Sequence, residues 1–449
     1  MLAKLFTHLK PPQILVLGFA GIILLGGFLL TLPMSSATGN HTPFIDALFT
    51  ATTSTCVTGL VTVDTGTHWS ELGHVIILLL IQVGGLGFMT MATLIAMVFR
   101  KRISLRERLV LQEALNQNSM EGIVRLIRKV FIYAISIEAA GALLLAIRFS
   151  YDMPLGQAIW FGIFHGVSMF NNAGIDLFGM KTGPFSSLTS YVSDPLVNIV
   201  VMLLIILGGI GFIVISDVIE YPKRRKLSLH TKVVLTATTF LIVFGALVIF
   251  IFEFNNERTL QPLSPGGKIL AAFFQSVTPR TAGANTIDLG GMRQASQFFT
   301  VILMFIGASP GSTGGGIKTT TFTIIVGAMV AMIRGKEDIV LFRNRLAKDR
   351  INKAITLTFL ALFLVLGVSM VLSTTEDRQF LAILYEVTSA FGTVGLTMGI
   401  TPSLTMVGKI MIIVMMFIGR LGPLTLAYAL QPKPEKELFR YPEGKITIG

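Results

Sequence analysis

The chain has 449 residues, of which 52% are hydrophobic and only 13% are charged, a composition typical of a membrane protein and not of a soluble core. It carries one cysteine, so an intramolecular disulfide is excluded. Its formal net charge of +12 does not indicate nucleic-acid binding, because the basic residues lie in separate clusters between apolar runs and form no continuous stripe.

Five clusters hold most of the 36 lysines and arginines. They comprise Lys4 and Lys10; 100–108 with Arg125, Arg128 and Lys129; 223–226 with Lys232; 334–353; and 433–445. The positive-inside rule places all five, and with them both termini, on the cytoplasmic side of a cell membrane. Between consecutive clusters lie two apolar segments long enough to span and one shorter apolar segment. Since each unit starts and finishes on the same side, the short segment is predicted to be re-entrant.

The predicted elements repeat in four consecutive units, 1–120, 121–228, 229–350 and 351–449. In chain order the predicted helices are 14–32, 43–53 and 73–99; 129–149, 155–169 and 195–219; 231–252, 266–277 and 298–333; and 354–373, 379–389 and 406–430. The prediction is an all-α polytopic membrane protein with eight spanning helices and four re-entrant pore helices around a central pore.

Each predicted pore helix ends at a segment of small or polar residues that is closed by a glycine. The four segments are Thr55-Cys56-Val57-Thr58-Gly59, Asn171-Asn172-Ala173-Gly174, Arg280-Thr281-Ala282-Gly283 and Gly392-Thr393-Val394-Gly395. They contain no ring of acids, so a permeating ion would be held mainly by backbone carbonyls, which suit a monovalent cation. No organic cofactor and no enzymatic activity are expected.

Two alternatives accompany this interpretation. Glycines in membrane helices also permit close packing, but four glycines spaced about 110 residues apart after equal short helices favour a selectivity filter. Cys56 is interpreted as a packing residue rather than a nucleophile or metal ligand, because no histidine or aspartate cluster lies near it. Arg280 would oppose conduction on the axis, so it is expected to turn behind the loop and pair with Glu386 or Glu138.

A second glycine pattern follows each filter at a shared depth in the membrane. In units one, two and four it reads Gly84-Gly85-Leu86-Gly87, Gly208-Gly209-Ile210-Gly211 and Gly419-Arg420-Leu421-Gly422. In unit three it reads Gly307-Ala308-Ser309-Pro310-Gly311-Ser312-Thr313-Gly314-Gly315-Gly316. Helix packing is the predicted role in units one and two, whereas the unit-three segment is too rich in glycine to stay helical.

Arg420 stands where units one and two have glycine. An arginine at mid-membrane is costly and therefore functional by default, so Arg420 and the loop 307–316 are predicted to form a gate. The alternative is a structural anchor for the carbonyl groups of the loop.

Together these features resemble the Trk/Ktr/HKT superfamily of potassium transporters over essentially the whole chain. One filter glycine in each unit, the Gly/Ser/Thr-rich break in unit three and Arg420 carry the resemblance. Only thirteen residues precede the first predicted helix, which leaves no room for the additional helices of the Trk type and favours the bacterial Ktr membrane subunits.

The resemblance implies uptake of K⁺, bound at the filter, and often enhanced by Na⁺. It also implies a homodimer in membrane lipid, each protomer with its own pore, resting on a cytosolic ring of nucleotide-binding, KtrA-like regulatory subunits. Gly59 favours K⁺, because a sodium-preferring plant branch of the superfamily has serine at that position. A Na⁺-preferring or K⁺/Na⁺ co-transporting member is the alternative within the superfamily.

Two unrelated classes remain as rivals. A secondary transporter with inverted repeats also has broken helices, but its repeats run in opposite orientations, whereas these four units all start and end on the basic side. A membrane receptor or scaffold would leave the four re-entrant motifs without a function.

Overall fold

The computed structural model describes residues 9–98, 105–114 and 122–430. In chain order its α-helices of eight or more residues are α1 (Pro11–Thr31), α2 (Phe44–Cys56), α3 (Glu71–Leu86), α4 (Phe88–Val98), α5 (Leu105–Ala114), α6 (Ile123–Phe149), α7 (Leu155–Phe170), α8 (Pro195–Gly209), α9 (Phe212–Arg224), α10 (Leu229–Glu253), α11 (Pro265–Val277), α12 (Gln294–Phe305), α13 (Thr319–Ile333), α14 (Lys348–Thr375), α15 (Phe380–Gly392), α16 (Met406–Leu421) and α17 (Pro423–Leu430). Strands β1 (Val340–Leu341) and β2 (Asn344–Arg345) form a hairpin between α13 and α14, with Val340 opposite Arg345.

The first helix of each unit is long and apolar enough to cross a membrane. These helices, α1, α6, α10 and α14, have 21 to 28 residues. At 1.5 Å per residue they are roughly 30–40 Å long, which matches the hydrocarbon core of a bilayer. Large apolar side chains on their outer faces are exposed, among them Phe28, Leu143 and Phe363. The predicted all-α polytopic membrane fold is confirmed.

The four short helices predicted from the sequence are present as α2, α7, α11 and α15. They have 13 or 16 residues, which is too short to span, and each packs against the long helix of its own unit. Three of these helices begin at a proline. Pro43 and Pro154 are the N-cap residues of α2 and α7, and Pro265 is the first residue of α11. They lie at the centre of the molecule, because most of their residues are buried.

The second long helix of every unit is broken. In units one, two and four the break lies at Gly87, Gly211 and Gly422, whose φ angles of +83°, +93° and +84° cannot continue an α-helix. The axes of α8 and α9 meet at 100°. The prediction of continuous helices at 73–99, 195–219 and 406–430 was therefore wrong, and only the interruption in unit three was foreseen.

The breaks lower the number of helices that cross the membrane without interruption. By length and composition the described residues contain four unbroken spanning helices, or five if α8 and α9 count as one. The remaining predicted spans are pairs of shorter helices that meet beside the pore helices. The breaks place irregular backbone in the interior, where protein can satisfy its polar groups.

Candidate pore and gate

The four glycine-ended segments meet at one ring. A Cβ placed on each glycine would lie within 2.5 Å of a carbonyl oxygen of a neighbouring segment: Gly59 against Ala173, Gly174 against Ala282, Gly283 against Val394, and Gly395 against Thr58. The contacts run from unit one through two and three to four and back to one. Any side chain at these positions would therefore displace backbone of the next unit.

The four segments also share one backbone conformation. The glycines have φ angles of +100°, +60°, +79° and +92° in units one to four. Two residues before each glycine a second residue is left-handed: Val57 at +57°, Asn172 at +61°, Thr281 at +77° and Thr393 at +50°. Such angles cost a non-glycine residue about 1–3 kcal/mol, most for a β-branched side chain. The same strained conformation, kept four times around one ring, indicates a functional constraint.

Hydroxyl groups near the ends of the pore helices hold these segments in place. Thr53 accepts a hydrogen bond from the Gly59 amide at 2.9 Å, Ser389 accepts one from Gly395 at 3.0 Å, Ser168 donates to the Ile175 carbonyl at 2.6 Å, and Thr278 donates to that of Ala284 at 2.5 Å. Our sequence analysis missed these four residues. Three of them lie six residues before a filter glycine, and that recurrence is the signal that could have found them.

The second glycine pattern touches the pore helices. A Cβ on Gly84, Gly208 or Gly419 would lie 2.0 Å or less from the carbonyl oxygen of Thr55, Phe170 or Phe391, respectively. Each of these carbonyls belongs to the residue four positions before the filter glycine of the same unit. The first glycine of the pattern therefore permits backbone contact with the pore helix, and its third glycine breaks the helix.

In unit three the break is a loop between α12 and α13, as predicted. The loop pairs with the broken helix of unit two through backbone hydrogen bonds from Ser309 to Gly209 (2.9 Å), from Thr313 to Gly208 (3.2 Å) and from Phe212 to Gly311 (3.0 Å). The amide of Gly315 donates to the side-chain oxygen of Thr393 in the fourth filter segment at 2.9 Å. The loop therefore lies directly against the ring.

Arg420 joins this loop to unit one. Its guanidinium donates to the carbonyl oxygens of Thr313, Gly84 and Gly85, the last at 3.0 Å. The Lys318 ammonium donates to the Gly314 carbonyl at 2.6 Å. Both cations line a cavity of about 270 Å³ that also contacts Lys353, a residue of the basic cluster 334–353. Contact with carbonyl groups of the loop agrees with both the gate prediction and its alternative, a structural anchor for the loop.

The sequence matches the family model TrkH, described as a cation transport protein, over residues 23–441. The chain belongs to this family. It is 46% identical over 444 residues to the Ktr system potassium uptake protein B of Bacillus subtilis, covering 99% of this chain and 98% of that one. It is 42% identical over 455 residues to the potassium/sodium uptake protein NtpJ of Enterococcus hirae, covering 100% of this chain and 99% of that one.

A solved structure gives the same fold. The crystal structure of the potassium transporter TrkH from Vibrio parahaemolyticus matches with a TM-score of 0.71 and 18% identity, covering 95% of this chain and 86% of that one. At this identity the match shows the fold alone. The resemblance to the Trk/Ktr superfamily is confirmed by the family model and the relatives together.

One expectation about the third glycine-ended segment was wrong. Arg280 does turn behind its segment and is 6% exposed, but it pairs with no carboxylate among the described residues. Its guanidinium donates to the Thr238 hydroxyl at 3.4 Å, and its other terminal nitrogen has no hydrogen-bond partner in the part of the chain that the structure describes. Glu138 and Glu386 are bound by uncharged groups instead. The sequence could not show this, because the two acids lie beside different segments of the ring.

Cys56 lies at the end of α2 and is fully buried. It packs in an apolar cluster with Phe49, Leu60 and Phe391. Within the described residues no group of three histidine, cysteine, aspartate or glutamate side chains could hold a metal ion. The thiol thus lies in the apolar setting that the packing interpretation requires.

Proposed function

We propose that this chain is the ion-translocating membrane subunit of a potassium uptake system, in which K⁺ passes through a filter of backbone carbonyl groups. The single observation that supports this most strongly is the shared left-handed geometry of the four segments around one ring. Carbonyl oxygens replace the hydration shell of a monovalent cation, and glycine permits the backbone angles that such a cage needs. The names of the potassium-transporting relatives support the choice of ion.

The test is ion flux. We expect the chain, with its regulatory partner where needed, to restore growth of a potassium-uptake-deficient host at low external K⁺, and the reconstituted protein to carry Rb⁺ as a K⁺ analogue. A protein that binds to membranes but carries no monovalent cation in either assay would contradict the proposal and leave a receptor or scaffold.

Gly59→Ser is the filter variant. Its φ of +100° and the 2.5 Å approach to the Ala173 carbonyl mean that serine must displace one quarter of the cage and adds its own hydroxyl. We expect the preference for K⁺ over Na⁺ to fall. Gly39→Ser is the matched control, since Gly39 also has positive φ, at +70°, but has no atom within 4 Å of an added Cβ. Unchanged relative flux in Gly59→Ser would remove Gly59 from the filter.

Sodium is the second candidate cargo, or a co-transported ion. The specific observation is the 42% identity to a protein named for uptake of both potassium and sodium. Flux of ²²Na⁺ into vesicles, with and without external K⁺, separates the two: independent Na⁺ flux indicates a Na⁺ carrier, and K⁺-dependent flux indicates coupling.

We further propose that the loop 307–316 and Arg420 form the gate. A guanidinium about 8 Å from the path of the ion, at an effective dielectric constant near 20, adds roughly 2 kcal/mol to the barrier, or about thirtyfold in rate. The contact of Arg420 with Thr313 supports a closed arrangement in which the loop holds this charge near the path.

The proposed assembly is a homodimer in the cell membrane, with cytoplasmic termini and a cytosolic ring of nucleotide-binding, KtrA-like subunits. Its support is the family membership and the basic clusters. Arg100, Lys101, Arg102 and the tail after residue 430 lie outside the described residues. Neutralising the three cations, or truncating after Gln431, should weaken co-purification with the ring. Intact complexes from both variants would show that these charges only set topology.

The repeat boundaries at 120, 228 and 350 also stay a prediction.

A further inference from the structure

Two buried carboxylates lie beside the ring in units two and four. Glu138 is on α6 and is 4% exposed, and Glu386 is on the pore helix α15 and is fully buried. Because neighbouring segments follow the order one, two, three, four, these two units face each other across the ring. A charged side chain at this depth is costly and calls for a functional explanation.

Glu138 is bound directly to the second filter segment. Its two carboxylate oxygens accept hydrogen bonds from the Asn171 amide at 2.8 Å and from Gln82 on α3 at 3.2 Å. Asn171 also donates to the Gln82 side-chain oxygen at 3.1 Å, which closes a network of three side chains. A Cβ on Gly85 would lie 2.1 Å from the Asn171 side chain, so glycine there makes room for the network.

Glu386 is bound to residues that follow the fourth segment. Its carboxylate accepts from the hydroxyl of Thr397 at 2.7 Å and from that of Thr401. Thr397 comes two residues after the filter glycine Gly395. The carboxylate therefore holds the chain as it leaves the ring.

Neither carboxylate is neutralised by a neighbouring cation. Among the described residues no lysine or arginine nitrogen lies within 4.0 Å of Glu138 or Glu386. All their hydrogen-bond donors are amide or hydroxyl groups, which stabilise a carboxylate without cancelling its charge.

We propose that Glu138 and Glu386 are specificity-determining positioning residues, whose charges are balanced by the cation in the filter and whose hydrogen bonds fix segments two and four. This inference rests on the filter proposed above. A unit charge about 10 Å from a bound ion, roughly one helix diameter, changes the ion's binding constant about tenfold at an effective dielectric constant near 20. Two such charges on opposite sides of the ring attract the ion from both sides and so favour a position on the axis.

The test compares glutamine and aspartate at both positions. Glutamine keeps the shape and removes the charge, whereas aspartate keeps the charge and shortens the side chain. We expect Glu138→Gln and Glu386→Gln to weaken K⁺ binding to the purified protein about tenfold each and to lower the K⁺/Na⁺ flux ratio. The aspartate variants should stay closer to wild type in both readouts.

Glu253→Gln is the matched control. Glu253 is also fully buried and accepts four hydrogen bonds, from Asn256, Thr259, Ser296 and the amide of Arg293, but none of these groups belongs to a filter segment. We expect this variant to lose stability while its K⁺/Na⁺ ratio stays at the wild-type value.

Two results overturn the inference. If the glutamine variants keep wild-type K⁺ binding and the aspartate variants lose it, the carboxylates act through shape alone. If Gly59→Ser changes selectivity while all four carboxylate variants leave it unchanged, the filter stands and the carboxylates have no part in it. If the wild-type chain carried no monovalent cation, the proposed filter itself would be contradicted. Testing both positions keeps one variant decisive if the other fails to fold.

Discussion

The filter ring and the loop beneath it are built from the same small residues, yet the first is repeated four times and the second occurs once. Around the ring every unit contributes a glycine with positive φ and a second left-handed residue two positions earlier. Below it, units one, two and four break their helices at a single glycine, and only unit three has a loop of more than ten residues between its helices. Under the proposed function, an ion in the ring meets all four units at once, so selection needs four equivalent parts.

A gate, in contrast, does not need four equivalent parts. It is enough for one unit to move, and a loop in one unit can do so without disturbing the other three. The loop is held by a few backbone hydrogen bonds to unit two, by Thr393 and by Arg420. Under the proposed function, variants of the repeated contacts should therefore impair selectivity or strongly reduce transport, and variants of the single loop should alter the transport rate.

The largest effect is expected from Gly208→Val. The added Cβ would lie 1.8 Å from the Phe170 carbonyl oxygen, and neither the broken helix nor the pore helix can move away without displacing the ring. We expect Rb⁺ uptake per molecule to fall about a hundredfold, which corresponds to roughly 3 kcal/mol. In the control Gly367→Val, the added Cβ meets no atom within 4 Å, and uptake should stay near wild type. Equal uptake by both variants would contradict the repeated contact.

Arg420→Ala is expected to raise flux, by up to about thirtyfold if the Coulomb barrier is removed in full. The dependence on a regulatory partner should fall and the K⁺/Na⁺ ratio should be retained. Shortening the loop within 307–316 should act in the same direction. Arg378→Ala is the control, because Arg378 is exposed and its hydrogen bonds to the described residues go to Ser403 and to Glu376 in its own loop. Wild-type rates with intact regulation in both the Arg420 and loop variants would place the gate elsewhere.

Thr393→Ala sharpens the boundary between the ring and the loop. It removes the oxygen that accepts the hydrogen bond from Gly315. One hydrogen bond contributes about 1 kcal/mol, so flux should rise roughly fivefold as the loop is released more readily. Thr388→Val is the control, because Thr388 lies in the helix that precedes Thr393 and its buried hydroxyl has no hydrogen-bond partner among the described residues. A loss of selectivity without a rise in flux would assign Thr393 to the ring alone.

The smallest effect is expected from Ser389→Ala. It leaves the Gly395 amide without its 3.0 Å acceptor, which should lower the free energy of unfolding by about 1 kcal/mol and the melting temperature by roughly 2 °C. Thermal unfolding of the purified protein measures this loss of stability, and Thr388→Val is again the control. No difference between the two variants would show that the hydroxyl does not support the fourth segment.

Much of the fold could be predicted because apolar length and basic clusters report directly on membrane crossing. The short helices before each filter were found within a few residues of their observed ends. The breaks at Gly87, Gly211 and Gly422 could not be predicted in the same way, because a single glycine in an apolar helix is compatible with packing as well as with a break. The backbone of the pore helix, brought close by tertiary contact, decides between them.

The sequence by itself determined the four long helices, the four short helices that follow them and the glycines that close the four segments, since these depend on local composition and spacing. The tertiary structure alone decided which partners the buried charges have. Arg420 reaches carbonyl groups of units one and three, and Arg280 reaches no acid among the described residues. Glu138 and Glu386 each hold the glycine-ended segment of their own unit through uncharged donors. Electrostatic partners are set by distance in space. Arg420 is 107 positions from Thr313 and 336 from Gly84, and these residues become neighbours only when the units pack together.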